Sequence, residues 1–147
     1  MQLLLDRIYS MSDEGRPILL VSLDLSAAFD MVDHATLLKR LSCSFGVSGV
    51  VYSWIESYLY GRTQSVRMGS HSSAVTPCTV GVPQGSVLGP LLFSVYTSPL
   101  STIAQSHQVL QQQYADDTQL YVALSPLNYS NEINTLQSCL SPIHIWF

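Results

Sequence analysis

Two adjacent aspartates in the connection between two apolar runs constrain this chain more than any other feature. Val109 to Tyr114 and Gln119 to Leu124 read as strands, joined through Ala115-Asp116-Asp117-Thr118. Like charges side by side repel unless something neutralises them, so Asp116 and Asp117 ask for a cation. Neighbouring strand residues point to opposite faces, so a turn is needed to bring both acids to one site. A third acid stands in a comparable place. Pro17 precedes Ile18 to Leu25, an almost continuous apolar run whose first charge is Asp24, at its carboxyl end. Such a run is expected to form a strand buried on both faces. If that strand neighbours the hairpin, Asp24, Asp116 and Asp117 offer a set of hard oxygen ligands suited to Mg²⁺ or Mn²⁺. This is the layout of two-metal phosphoryl transfer. The plainer reading, that Asp-Asp after a strand is only a polar turn, stays open on spacing alone.

Elements of both periods surround these acids. Residues 1 to about 11 carry Leu4, Ile8 and Met11 at helical spacing, broken by Ser12-Asp13-Glu14-Gly15. Asp33 is placed to cap a helix through about Ser44, with Leu37, Leu38 and Leu41 on one face and Gly46 as its stop. A second helix is expected from about Ser48 to Tyr60, with Val51, Trp54, Ile55, Tyr58 and Leu59 at core spacing. Partial alternation from Thr63 to Val80 around Gly69-Ser70 predicts a β-hairpin. After the loop Gly81 to Ser86, Val87 to about Ile103 reads as one long apolar helix. A last helix begins at Asn128 or Ser130, with Ile133, Leu136, Leu140 and Ile143 on one side.

The 147 residues amount to about one domain. Apolar residues make up 47% and charged residues 11%, so the chain must bury a core and is no disordered tail. Six basic residues against ten acidic ones leave a net charge of -4 and a pI near 5.3, which by itself points away from a nucleic-acid binder. Cys43, Cys78 and Cys139 form no CxxC pair and read as buried free thiols. His34, His71, His107 and His144 are scattered and read as surface or capping residues. No apolar run reaches the ~18 to 20 residues of a membrane span, and the start lacks a signal-peptide pattern. A soluble, intracellular protein that meets no membrane is expected.

Three strings occur in a telling order: SLDLSAAFD at Ser22 to Asp30, GVPQGSVLGPLLF at Gly81 to Phe93, and YADDTQLY at Tyr114 to Tyr121. Together they resemble the reverse transcriptases of LINE-type (non-LTR) retrotransposons, and WIESYLYGRTQSVRMG at Trp54 to Gly69 resembles the stretch between that family's first two motifs. The resemblance implies that Asp24, Asp116 and Asp117 are catalytic and bind two Mg²⁺ or Mn²⁺ ions, with the Leu25 carbonyl as a further ligand. It sets Tyr114 and Ala115 beside the primer's 3′ end. Phe29 is similar to the aromatic under the incoming sugar, where a 2′-hydroxyl would clash with the ring; ordinary core is its plainer reading. Gln84 and Gly85 match residues that position template and nucleotide, glycine allowing close backbone approach. Pro83 and Ser86 shape the turn, while Asp30 and Asp33 read as helix-start carboxylates.

The implied fold is α+β, a right-hand polymerase palm-like antiparallel sheet with helices packed on one face. Fingers are incomplete and the thumb is absent, so residues 1–147 are expected to form a partial reverse transcriptase domain, palm with part of the fingers. The implied function is RNA-directed DNA polymerase, with an RNA template, a DNA primer and dNTPs as partners of the full-length relative. Lys39, Arg40, Arg62 and Arg67 are too few to build a nucleic-acid groove, so the fragment itself is expected to bind nucleic acid weakly or not at all and to be inactive in isolation. The alternative is a catalytically silent retrotransposon remnant or protein-interaction module. Four of the ten acids, Asp24, Asp30, Asp116 and Asp117, fall inside the motifs, so the low pI marks a catalytic centre without its basic surroundings. The apolar surplus predicts exposed patches near both termini.

Overall fold

Pro17 fixes the chain in extended geometry, and the β-branched and leucine-rich residues after it form β1 (Ile18–Leu23). The computed structural model describes the backbone of residues 2–13, 15–25, 27–125 and 128–146, and the side chains of 6, 8–13, 15–25, 27–125 and 128–143. Leu4 of the first predicted helix face, Glu14 of its turn, and His144 therefore lie outside the described side chains. The chain divides into two compact units, one of residues 1–25 and 98–147, the other of residues 26–97.

The first unit holds α1 (Gln2–Asp13), β1, and a three-stranded antiparallel sheet completed by β2 (Leu110–Tyr114) and β3 (Asp117–Ala123). Strand β3 is central, paired with β1 from Ile18↔Ala123 to Leu23↔Thr118 and with β2 from Leu110↔Tyr121 to Tyr114↔Asp117. Helices α2 (Pro99–Ser106) and α3 (Tyr129–Trp146) pack on one face. There Leu100, Ala104, Val109, Leu120, Leu136, Cys139 and Ile143 make a buried core, flanked by Leu19, Val21, Leu23 and Val122. The alternation of a strand puts Leu20, Ser22, Gln119 and Tyr121 on the other face. β1 is thus covered on one face rather than two, with Leu20 and Ser22 exposed, although on that same face Tyr121 of the central strand is buried. Helices and antiparallel strands in one chain make the fold α+β.

In the second unit, α4 (His34–Phe45) starts at Asp33, whose carboxylate accepts from Thr36 N–H at 2.7 Å. It ends at Gly46, whose φ of 68° lets Val47 N–H reach back to Leu41 O. Helix α5 (Gly49–Leu59) follows, then a hairpin arm of two short ladders in series. The outer ladder pairs Arg67–Met68 with His71–Ser72 about Gly69-Ser70, and the inner one pairs Thr63–Gln64 with Thr76–Pro77. Helix α6 (Gly89–Thr97) closes the unit.

Several expectations need correction. The single helix over Val87 to Ile103 is two, α6 and α2, because Pro99 has no N–H to continue the ladder and instead occupies the first turn of a new helix. Only Ile55 and Leu59 of α5 are buried; Val51 and Trp54, at core spacing, are 58% and 55% exposed. Asp117 is the first residue of β3 rather than part of the connection, which shrinks to Ala115-Asp116. His34 is buried, not superficial, and of the three thiols only Cys139 is buried, where burial raises its pKa. Large exposed apolar residues occur in mid-chain, at Val50, Val66, Met68, Val75 and Val87, as well as toward the ends, at Tyr9, Tyr129 and Ile133, while the side chains of residues 1–5 and 144–147 are outside the described set.

Candidate active site

The antiparallel register decides which acids share an end of the sheet. Leu23 pairs with Thr118 as the last rung between β1 and β3, so one further step sets Asp24 opposite Asp117. Tyr114 pairs with Asp117 across the hairpin, leaving Ala115 and Asp116 as a two-residue loop. All three aspartates, with Leu25, Tyr114 and Ala115, therefore belong to one end of the three-stranded sheet. Asp24 and Asp117 continue the face of Leu20, Ser22, Gln119 and Tyr121, away from the helices. Asp24, Tyr114 and Asp117 are exposed, while Leu25, Ala115 and Asp116 are half-buried.

The loop is tight for ordinary residues. Ala115 takes a φ of 52°, the positive value that primed hairpin turns require at their first central position, although it carries a Cβ. That conformation costs roughly 1–2 kcal/mol. Gln113 holds it by donating from Nε2 to the Ala115 carbonyl at 3.2 Å. Strain of this kind persists where surroundings over-determine it, and here it closes the two-residue connection that carries Asp116. On the helix side, Thr118 is buried with its hydroxyl lacking a hydrogen-bond partner, a feature that no periodicity announced.

Phe29, Gln84 and Gly85 belong to the second unit. Two hydrogen bonds, from Val82 N–H to Phe29 O and from Gly81 N–H to Val32 O, both 2.8 Å, fasten the start of the Gly81–Ser86 loop to the segment carrying Phe29. Phe29 is half-buried and stacks on Phe93 of α6, ring centroids 4.7 Å apart. Gln84 and Gly85 are exposed at the loop's tip, Gly85 with a φ of 76°. Ser86 ends the loop, its hydroxyl donating to Pro83 O and accepting from Gly89 N–H.

Two residues to which the sequence assigned no role of their own hold this loop. Gly81 has a φ of 87°, and any Cβ there would meet the Asp30 backbone at 3.0 Å. Its carbonyl accepts from His34 Nε2 at 2.7 Å, and the buried His34 ring meets Tyr60 edge-on. With Nε2 donating, Nδ1 is an acceptor, and it has no partner. A lone histidine at a helix start gives no hint of this in sequence, whereas the glycine beside the loop was a signal that could have been read.

A scan against family models matches residues 2–144 to the reverse transcriptase (RNA-dependent DNA polymerase) family. This chain belongs to the reverse transcriptase family. Within it the relatives are those of LINE-type mobile elements. The RNA-directed DNA polymerase from mobile element jockey of Drosophila melanogaster is 40% identical over 101 residues, 65% of this chain and 11% of its own length. The probable RNA-directed DNA polymerase from transposon BS of the same organism is 36% identical over 132 residues, 86% of this chain and 14% of its own. A Pol polyprotein from the type-1 retrotransposable element R2 of Popillia japonica is 34% identical over 106 residues. The chain thus spans about an eighth of the length of the first two relatives.

Reverse transcriptases use divalent metal ions. The donor set fits such an ion in kind, being three carboxylates and a main-chain carbonyl, all hard oxygen. Among the described residues, however, no three His, Cys, Asp or Glu side chains stand close enough together to hold one ion. Sheet register brings the acids to one end but does not by itself gather their oxygens. Among the same residues, no helix is long and apolar enough to cross a membrane.

Proposed function

We propose that the chain supplies the metal-holding floor of an RNA-directed DNA polymerase centre, its sheet being the palm of a right-hand polymerase and residues 1–147 a palm with part of the fingers. One observation carries the reading. The β1–β3 ladder ends at Leu23↔Thr118, so Asp24 and Asp117 come next at the end of the sheet where Asp116 occupies the turn, in a chain matched to the reverse transcriptase family over residues 2–144. Asp24, Asp116, Asp117 and the Leu25 carbonyl would hold two Mg²⁺ or Mn²⁺ ions, which when bound acidify the primer 3′-hydroxyl and neutralise charge on the triphosphate.

The chain's own residues position and exclude. The paired strands hold two carboxylates at fixed register, and the strained Ala115 turn holds the third beside them. Tyr114, exposed at the strand end, lies beside the primer terminus. Phe29, braced by Phe93, is kept from turning aside, so a 2′-hydroxyl meets a ring that cannot yield, and deoxynucleotides are selected by clash. Gln84 and Gly85 bring main chain and amide to the template and incoming nucleotide. RNA template, DNA primer and dNTPs are the substrates of the longer protein.

Two measurements on the 147-residue chain test this. Loss of the free Mn²⁺ electron paramagnetic signal is expected to report weak binding, cut at least about tenfold by Asp116→Asn through removal of a ligand charge. Binding unchanged by that substitution overturns the site. Primer extension on an RNA template is expected to be inefficient, and processive synthesis would refute the view that these residues need the rest of the polymerase. Product undiminished in Asp116→Asn would refute the catalytic assignment.

A further inference from the structure

The nucleic-acid reading leaves one surface of the second unit unused. From Ser57 through Ala115 the sequence contains no aspartate or glutamate, although the whole chain carries a charge of -4. Into that stretch falls the hairpin arm, Arg62 to Cys78, in which every residue from Tyr60 to Pro77 is exposed. Two of the six basic residues, Arg62 and Arg67, stand on it, surrounded by hydroxyl and amide side chains that donate hydrogen bonds. At its foot an aromatic column rises from α5. Trp54 stacks on Tyr58 with centroids 6.1 Å apart and rings inclined by 23°, and the Arg62 guanidinium lies 4.3 Å above the Tyr58 ring centre while its Nε donates to the Tyr58 carbonyl. Trp54 is 55% exposed at the column's outer end.

We infer that the hairpin arm and the Trp54–Tyr58–Arg62 column form a sequence-independent contact surface for a single-stranded nucleic acid. The inference rests on the proposed polymerase function. Two cations against a single carboxylate between residues 54 and 77, Glu56, suit a phosphate backbone, because each phosphate neutralised releases condensed counterions. An exposed indole backed by a second ring suits a base, since every base presents a π-face and stacking tolerates any sequence. A buried hydrophobic partner fits less well: Val66, Met68 and Val75 are outnumbered on the arm by hydroxyl, amide, imidazole and guanidinium side chains.

The test is a ¹⁵N–¹H correlation titration of the chain with a mixed-sequence single-stranded RNA oligomer, in EDTA so that the outcome is independent of whether the aspartates hold an ion. Amide shifts are expected to concentrate on residues 54–77. Affinity is expected to fall about sevenfold between about 50 and about 200 mM salt, as two phosphate contacts require. The double substitution Arg62→Gln, Arg67→Gln should flatten that salt dependence, and Trp54→Ala should weaken binding at least about fivefold. The peak dispersion of each variant shows directly whether it is folded. Shifts that map elsewhere, a salt slope unchanged in the double variant, or an arm left unshifted by RNA would each overturn the inference, the last leaving the arm as a surface for protein.

Discussion

Gly81 illustrates how one residue can hold a loop that its neighbours make functional. Its φ of 87° and a virtual Cβ 3.0 Å from Asp30 main-chain atoms leave no room for a side chain, and neither contact is with an atom that moves cheaply. Gly81→Ala is therefore expected to lose about 1–3 kcal/mol in urea unfolding, with changed amide shifts at Phe29, His34 and Gln84. Asp33 acts differently, through its charge. Hydrogen bonding from Thr36, aided by His34 nearby, lowers its pKa below the ordinary carboxylate range. The folded state thus binds the proton more weakly than the unfolded one. The stabilisation is complete above the ordinary range and is lost as pH falls through the depressed value. Asp33→Ala should cost roughly 1 kcal/mol at neutral pH. Asp33→Asn, which still caps but does not titrate, should differ from the parent at pH 7 and approach it in acid, as urea midpoints at both pH values would show.

The elements are held by their buried positions. Leu120 is fully buried at the centre of β3, under α2 and α3, and Leu120→Ala should cost about 2–5 kcal/mol because its neighbours cannot collapse into the space. Val87 is 95% exposed in the loop before α6, and Val87→Ala should change stability by less than about 0.5 kcal/mol. Equal effects in chemical denaturation would contradict the assignment of the core to the helix-covered face. Proline sets the element boundary that hydropathy hides: the apolar run through Val87 to Ile103 is continuous in composition, yet Pro99 divides it into helices of different compact units.

For the molecule as a whole, the proposed site implies that a bound ion would relieve repulsion among the three carboxylates at one sheet end. Asp117→Asn should then change stability in opposite directions under two conditions. In EDTA the variant should melt higher than the parent, having one charge fewer to crowd. In Mn²⁺ at about ten times its Kd the parent should gain about 1.4 kcal/mol, and the variant much less. Melting curves in both buffers check this, and a variant less stable in both would mean that Asp117 is structural rather than a ligand.

Much was legible in sequence because its causes are local. Asp33 and Gly46 bracket a helix whatever surrounds it, Gly69-Ser70 turns a hairpin, and the order of three short strings marks a reverse transcriptase because each string serves chemistry with strict spacing. What stayed hidden depends on partners distant in the chain. No pattern in Ile18 to Leu25 reveals that its neighbour is Asp117–Ala123, or that Leu20 and Ser22 are left exposed. Nor does helical spacing reveal that Trp54 faces solvent, since periodicity reports which residues share a face but not whether anything lies against it. The sequence by itself determined which acids are present and the family whose motifs carry them. Only tertiary pairing decided that Leu23 and Thr118 close the ladder just before Asp24 and Asp117, because a register is a property of two strands and is written in neither alone.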